Sequence, residues 1–299
     1  LKPRGLDSLF EKILPKKVQE FHNFVEASVE KRRKEEALLE RSEAEDSQGR
    51  KDMFHYLFKA KDDQGNLGYS TEELYAETLL LVVAGSDTTS TTMAGFWFYL
   101  GRYPRVYNKV TEKIRTTFKS ADDIKIGPAL VSCKYLQACI EETLRTAPAG
   151  CGEMPREVLP GGLDIEGNHI PEGVHVGVAV WSIVHNQEVF GDPWVFRPGR
   201  WIVGGDVTEE DAARDRNASN PFSIGSGNCV GQKLAMQELL ITFAKTLYRM
   251  DVRLVPGDTL GAGSPELGWG LRDRNNIILR DAYIAIRNGP MVQFRKRTT

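Results

Sequence analysis

Cys229 stands in the run Pro221-Phe222-Ser223-Ile224-Gly225-Ser226-Gly227-Asn228-Cys229-Val230-Gly231, just ahead of a helical pattern from Gln232 to Arg249. A lone cysteine among glycines, with Phe222 seven residues upstream, suits a thiolate presented from an open loop to a flat cofactor. The glycines let the backbone approach a ligand plane without a Cβ clash. A helix opening at the cysteine favours thiolate over thiol through its dipole and its free N–H groups. Haem iron is the chemistry this donor fits, because electron donation from a Cys thiolate favours O–O cleavage. The same spacing also suits an ordinary strand-to-helix turn whose cysteine is buried as a small hydrophobe.

Further constellations carry chemistry of their own. In Ala84-Gly85-Ser86-Asp87-Thr88-Thr89, a glycine sits beside a run of hydroxyls within a long helical pattern. Such a run weakens the helical ladder and can open a groove or bulge. Asp87 and Thr88 at that place could hold water and relay protons to a bound ligand. Hydroxyls bonded back to their own helix are the alternative. Glu142 and Arg145 lie three apart in Glu142-Thr143-Leu144-Arg145 and share a helix face. A surface ion pair there contributes little. Arg200, in Phe196-Arg197-Pro198-Gly199-Arg200-Trp201, could lock onto Glu142 and clamp the loop that leads to Cys229. A buried Glu between two arginines needs bidentate geometry and full hydrogen bonding to survive desolvation.

The elements that must position these residues read mostly as helix. Leu9, Ile13, Val18, Phe21, Phe24, Val25 and Val29 recur at helical spacing, and the charge-dense run over 30–51 predicts a solvated helix end and loop. Ser70-Thr71-Glu72-Glu73 is a capping box opening a long central helix over 70–102, and Pro104 follows it. Further helices are expected over about 106–120 and 134–146. From Pro155 to Val180, glycines and prolines alternate with short runs such as His175-Val176-Gly177-Val178-Ala179-Val180, which predict small strands. Residues 187–221 read as irregular, with an acidic surface excursion from Thr208 to Arg216. A terminal β-hairpin region is expected over 251–297.

Bulk properties narrow the class. The chain has 299 residues, 41% hydrophobic and 27% charged, which suits a packed core. A net charge of −2 excludes non-specific nucleic-acid binding as a main role. Four cysteines, Cys133, Cys139, Cys151 and Cys229, are too few and too scattered for a disulfide scaffold, and none has zinc-ligand spacing. A reducing compartment is the expected setting. The apolar run Leu79 to Gly85 is followed by Asp87 and six hydroxyl residues, too polar for lipid. Leu1-Lys2-Pro3-Arg4 lacks an initiator Met and reads like the interior of a longer protein.

Taken in order, Ala84-Gly85-Ser86-Asp87-Thr88-Thr89, Glu142-Thr143-Leu144-Arg145, Phe196 to Trp201 and Phe222 to Gly231 resemble the cytochrome P450 superfamily, of the fungal microsomal kind. The resemblance covers nearly the whole chain. It implies a mainly α fold with small β-sheets, with residues 1–299 as the C-terminal part of a single P450 domain whose N-terminal part is missing. It implies haem as cofactor, with Cys229 in loop 221–231 as axial thiolate and Phe222, Gly225 and Gly231 shaping the loop. By the same resemblance Arg156 meets a haem propionate, while Ala84 and Gly85 flank the haem at a helix break. Asp87 and Thr88 become the proton-delivery pair, and Glu142, Arg145 and Arg200 the structural triad. Leu80, Val83, Ala149, Gly150, Cys151, Ile284 and Ala285 become substrate contacts.

The activity implied is a monooxygenase that inserts one oxygen atom from O2 into an organic, apolar substrate. Its electrons come from NADPH through an NADPH-cytochrome P450 reductase at the cytosolic face of the endoplasmic reticulum membrane. The membrane anchor belongs to a full-length parent and not to this chain. One position departs from the family pattern: Gly227 stands where Arg or His is usual, so a positive charge beside the thiolate is missing. Two other readings stay open on the sequence. One is a truncated non-enzymatic remnant, and the other a haem-thiolate isomerase or dehydratase, which the intact Asp87-Thr88 pair disfavours.

Overall fold

A computed structural model describes residues 14–41 and 51–298. The expectations for Leu9, for Ile13, for the four N-terminal residues and for the loop at 42–50 lie outside the described residues. The chain divides into two compact units, Leu1–Ala84 and Gly85–Thr299.

In the first unit, α1 (Lys16–Arg41) and α2 (Met53–Lys59) precede the start of α3 (Thr71–Arg102). The charged run is not all solvated. Arg32 Nη2 lies 3.0 Å from Glu36 Oε2, one helical turn on, and Arg32 Nε 3.1 Å from Asp52 Oδ2. Asp52 is also the N-cap of α2, accepting from the His55 N–H at 3.2 Å. Arg32 and Glu36 are buried, and their charges are compensated by each other, by Asp52 on Arg32 and by His55 Nδ1, 2.6 Å from Glu36 Oε1.

Helix α3 opens on reciprocal hydrogen bonds. The Glu73 N–H donates to Ser70 Oγ at 3.2 Å, and the Ser70 N–H donates to Glu73 Oε2 at 2.7 Å. Its 32 residues rise about 48 Å at the usual helical pitch. The helix is uninterrupted across Gly85, so the break expected there is absent. The hydroxyls instead bond back along the helix, Thr91 Oγ1 to the Asp87 carbonyl at 2.8 Å and Thr92 Oγ1 to the Thr88 carbonyl at 3.2 Å. Those bonds load the ladder without breaking it. No helix among the described residues is long and apolar enough to cross a membrane.

The second unit packs helices around the C-terminal half of α3. Helix α4 (Pro104–Thr117) begins at Pro104 itself, not at about residue 106, because proline's missing N–H costs nothing at the first helical position. After α5 (Pro128–Val131) comes α6 (Lys134–Thr146), buried along most of its length. At Gly95 an added Cβ would come 2.9 Å from the Ala147 Cβ, so glycine lets α3 run close to the end of α6. Phe96 of α3 stacks on Phe243 of α10 (Gln232–Arg249), with centroids 3.6 Å apart. Phe98, Ile114, Ile140 and Leu247 complete the centre of this core. Each buried side chain of this size contributes roughly 1.5–3 kcal/mol relative to exposure.

Small two-stranded antiparallel sheets sit around the helices. Strand β1 (Arg156–Glu157) pairs with β4 (His175–Val176), and β2 (Leu163–Ile165) with β3 (Asn168–Ile170). The run after Val176 turns into α7 (Val180–Val184) rather than continuing as strand. Beyond α8 (Gln187–Phe190), a 3-10 turn spans Pro198–Trp201. The acidic stretch is α9 (Glu209–Ala218), not an irregular excursion. Thr208 and Asp211 form a capping box there, and three acidic residues stabilise the first turn through the helix dipole. Strand β5 (Met250–Leu254) pairs with β8 (Val292–Lys296), and β6 (Leu279–Arg280) with β7 (Ile286–Arg287). The fold is mainly α with small β-sheets.

Candidate functional site

Cys229 is exposed, whereas Cys133, Cys139 and Cys151 are buried. Burial pushes all three of those thiols up, with the Asp281 carboxylate adding to the effect at Cys151. They are held as neutral thiols, and Cys229 is the cysteine placed to meet a ligand. Its backbone is tied at both ends. The Cys229 N–H donates to the Phe222 carbonyl at 2.8 Å, and the Cys229 carbonyl accepts from the Gln232 N–H at 3.3 Å. Phe222, half-buried, packs on the main core and anchors the loop's start.

The helix begins at Gln232 rather than at the cysteine, with Gly231 as N-cap and no side-chain cap. An added Cβ at Gly231 would lie 3.7 Å from Cys229 Sγ, so the sulfur sits against the helix entrance. Gly225 has φ +69, in the left-handed region, and nothing would meet a Cβ there within 4 Å.

Four features of this loop fit haem. A thiol is presented outward. The space over Gly225 is open. Ile224, Val230 and Leu234, within five residues of Cys229 in the chain, are 70%, 98% and 57% exposed, apolar surface suited to a flat apolar group. A cation stands alongside: a Cβ at Gly227 would lie 3.2 Å from Arg156 Nη2. Arg156 donates through Nη1 to the Met154 and Pro155 carbonyls at 3.3 and 3.1 Å, and no carboxylate among the described residues pairs with it. The guanidinium of Arg156 therefore borders the place where the arginine or histidine side chain usual at position 227 would begin.

Gly227→Arg should add a second cation at this edge. The Arg156 tip is flexible and can yield a few tenths of an ångström. Loss of haem to an excess of a haem-scavenging protein should slow by about tenfold, the worth of one charge-assisted hydrogen bond. Faster loss would mean that Arg156 needs the space which Gly227 leaves.

A buried charge cluster lies between α6 and the 3-10 turn at Pro198–Trp201. Arg145 donates to Glu142 through Nε at 3.0 Å and Nη2 at 2.8 Å, a bidentate fork. Arg200 Nε reaches the same carboxylate at 3.2 Å. Two donors escaped the sequence reading: Trp201 Nε1 at 2.9 Å and the Arg197 backbone N–H at 2.9 Å. The remaining guanidinium N–H groups bond the Val184, Pro193 and Phe190 carbonyls and the Asp192 carboxylate. Burial pushes the Glu142 carboxyl up, but Arg145 and Arg200 outweigh it and hold it below the usual carboxylate range. The cluster joins α6 to the 3-10 turn at Pro198–Trp201.

The candidate substrate contacts of the second unit converge. The Ala285 N–H donates to the Ala149 carbonyl at 2.7 Å, and Thr91 Oγ1 lies 3.5 Å from the Ala285 carbonyl. The Trp181 N–H donates to the Cys151 carbonyl at 3.0 Å. Gly152 lies against the Asp281 carboxylate, which an added Cβ would meet. Residues 149–151, 284–285 and α3 near Thr91 thus meet around one place. Asp87 is exposed on α3 and Thr88 half-buried. Leu80, Val83 and Ala84 belong to the first unit, where Leu80 and Ala84 are exposed and Val83 half-buried.

The profile of the family described as Cytochrome P450 matches residues 4–275. The chain is 42% identical over 261 residues to cytochrome P450 monooxygenase apf8 of Gibberella fujikuroi, covering 87% of this chain and 70% of that protein. It is 36% identical over 252 residues to a cytochrome P450 monooxygenase of Gibberella zeae, covering 84% and 57%. With cytochrome P450 monooxygenase poxM of Penicillium oxalicum, the identity is 35% over 276 residues, covering 92% and 48%. The chain belongs to the cytochrome P450 family, and these relatives are fungal. It spans about half to two thirds of their length.

Proposed function

We propose that the whole protein is a haem-thiolate monooxygenase, inserting one oxygen atom from O2 into an organic, apolar substrate. The observation that carries this reading is the single outward-facing cysteine in a glycine loop with exposed apolar side chains and the Arg156 cation beside it. Haem, when bound, supplies the oxygen-activating chemistry. Cys229 would hold it through its thiolate, and Arg156 would bond a propionate. Residues 149–151 and 284–285 would orient the substrate and exclude water. Asp87 and Thr88 would hold and deliver a proton, with Gly85 and Ala84 leaving room beside the helix. Electrons would come from NADPH through a reductase, and the endoplasmic reticulum membrane is the proposed location of the whole protein.

The test uses the whole protein with haem and reductase. A panel of apolar compounds is first screened for substrate-type difference spectra. Each binder is then turned over under isotopically labelled dioxygen. One labelled oxygen atom in the product is expected; product formed without label would turn the reading toward isomerisation or dehydration. In the same assay Thr88→Ala should lower product formation by on the order of a hundredfold while NADPH is still consumed, as for loss of a positioned proton donor. Unchanged coupling would remove Thr88 from the proton path.

A further inference from the structure

Arg287 lies on β7, two residues after Ala285, and belongs to no motif of the sequence. Its side chain reaches α3. Nη1 donates to Thr91 Oγ1 at 3.0 Å and Nη2 donates to Ser90 Oγ at 2.8 Å. Both hydroxyls in turn face one acceptor, the Asp87 carbonyl, Ser90 at 3.1 Å and Thr91 at 2.8 Å. A hydroxyl has one proton to donate. With a guanidinium N–H filling an acceptor site on each oxygen, each proton is left to a carbonyl: that of Ser90 to Asp87, and that of Thr91 to Asp87 at 2.8 Å ahead of Ala285 at 3.5 Å. The half-buried Arg287 has no carboxylate partner among the described residues, so the hydroxyls are its principal bonds.

The Asp87 carbonyl is thereby loaded by two side chains in addition to its place in the helix. Side-chain bonding to such a carbonyl competes with the helical N–H and bends a helix locally. The turn affected begins at the residues assigned to proton delivery.

We propose that Arg287 is a positioning residue. It clamps Ser90 and Thr91, and through them sets the geometry and opening of the Asp87–Thr91 turn. It also ties that turn to the strand that follows the Ala285 loop. The consequence for proton delivery rests on the monooxygenase reading; the clamp itself does not.

The experiment therefore has two arms, both on the whole haem-loaded protein. In the first, without reductant or substrate, amide hydrogen exchange is followed across residues 87–92. Arg287→Met should speed exchange there on the order of tenfold, the worth of roughly one hydrogen bond to a charged group. Arg287→Lys, which keeps a donor, should restore part of the protection. Arg287→Met combined with Thr91→Val should add little to either alone, since they remove one connected set of bonds. Unchanged exchange in Arg287→Met, or full additivity with Thr91→Val, would overturn the clamp.

In the second arm, turnover is measured. Arg287→Met should raise NADPH consumed per product severalfold with little change in KM, and Arg287→Lys should recover part of the coupling. A raised KM with coupling and exchange intact would make Arg287 a substrate contact and overturn the proposal. A wild-type protein without a thiolate-ligated haem spectrum would defeat the monooxygenase reading, and the exchange arm would still decide the role of Arg287.

Discussion

Glu142→Gln is expected to cost about 3–5 kcal/mol of stability, the range for removing one partner of a buried charge set. That is a third or more of what a typical domain has in hand. Glutamine keeps the shape of the side chain but not its charge. Arg145 and Arg200 would then share a site that shuts out water with no anion between them, Arg145 left with carbonyl acceptors alone and Arg200 with the carboxylates of Asp192 and Asp215. Trp201 Nε1 and the Arg197 N–H would share a weaker acceptor. Denaturant unfolding measures the effect: the midpoint should fall with an unchanged slope. A change under about 1 kcal/mol would mean that the cluster is held mainly by its carbonyl contacts. The pH dependence has a definite sign. The Glu142 carboxyl is held below its ordinary value of 4.5. Its contribution is therefore full above the unfolded carboxylate range and is lost as pH falls through the lowered folded value. Glu142→Gln should remove that part of the acid sensitivity.

Cys229→Ala is expected to abolish thiolate-ligated haem outright. No other thiol can substitute, because Cys133, Cys139 and Cys151 are buried and their thiols are pushed up by burial. The loop itself should survive, since its anchoring bond is made by the backbone N–H at position 229 to the Phe222 carbonyl, not by the sulfur. The exposed apolar side chains of Ile224, Val230 and Leu234 and the Arg156 cation remain. The variant should therefore retain some haem, at lower affinity and without thiolate spectral features. Magnetic resonance of the ferric form checks this directly. A persisting low-spin thiolate signal would place the ligand elsewhere.

What the sequence made legible follows from range. The glycine loop, the Ser70 capping box and the Glu142–Arg145 pair are local patterns, and local geometry decides them. The polar helix Glu209–Ala218 was also within reach, because Thr208 and Asp211 have capping-box spacing. It escaped because only Ala212 and Asp215 are buried, which leaves almost no apolar periodicity to read. The absence of a break at Gly85 depends on hydroxyls choosing their own helix, a balance too fine for residue type to settle. Contacts across the chain were out of reach for a different reason. Arg287 binds Thr91 from 196 positions away, and Arg156, on β1, borders Gly227 of the cysteine loop. No periodicity links such residues; only the packed helices and the paired strands bring them together.

The central claim is that Cys229 supplies a thiolate to haem. The most direct measurement is the spectrum of the whole protein, purified with haem, reduced and exposed to carbon monoxide, beside that of Cys229→Ala. The account requires the long-wavelength Soret band of a thiolate-ligated carbonyl complex in the parent and its loss in the variant. A band at the position given by histidine or weak ligands in both proteins would contradict it.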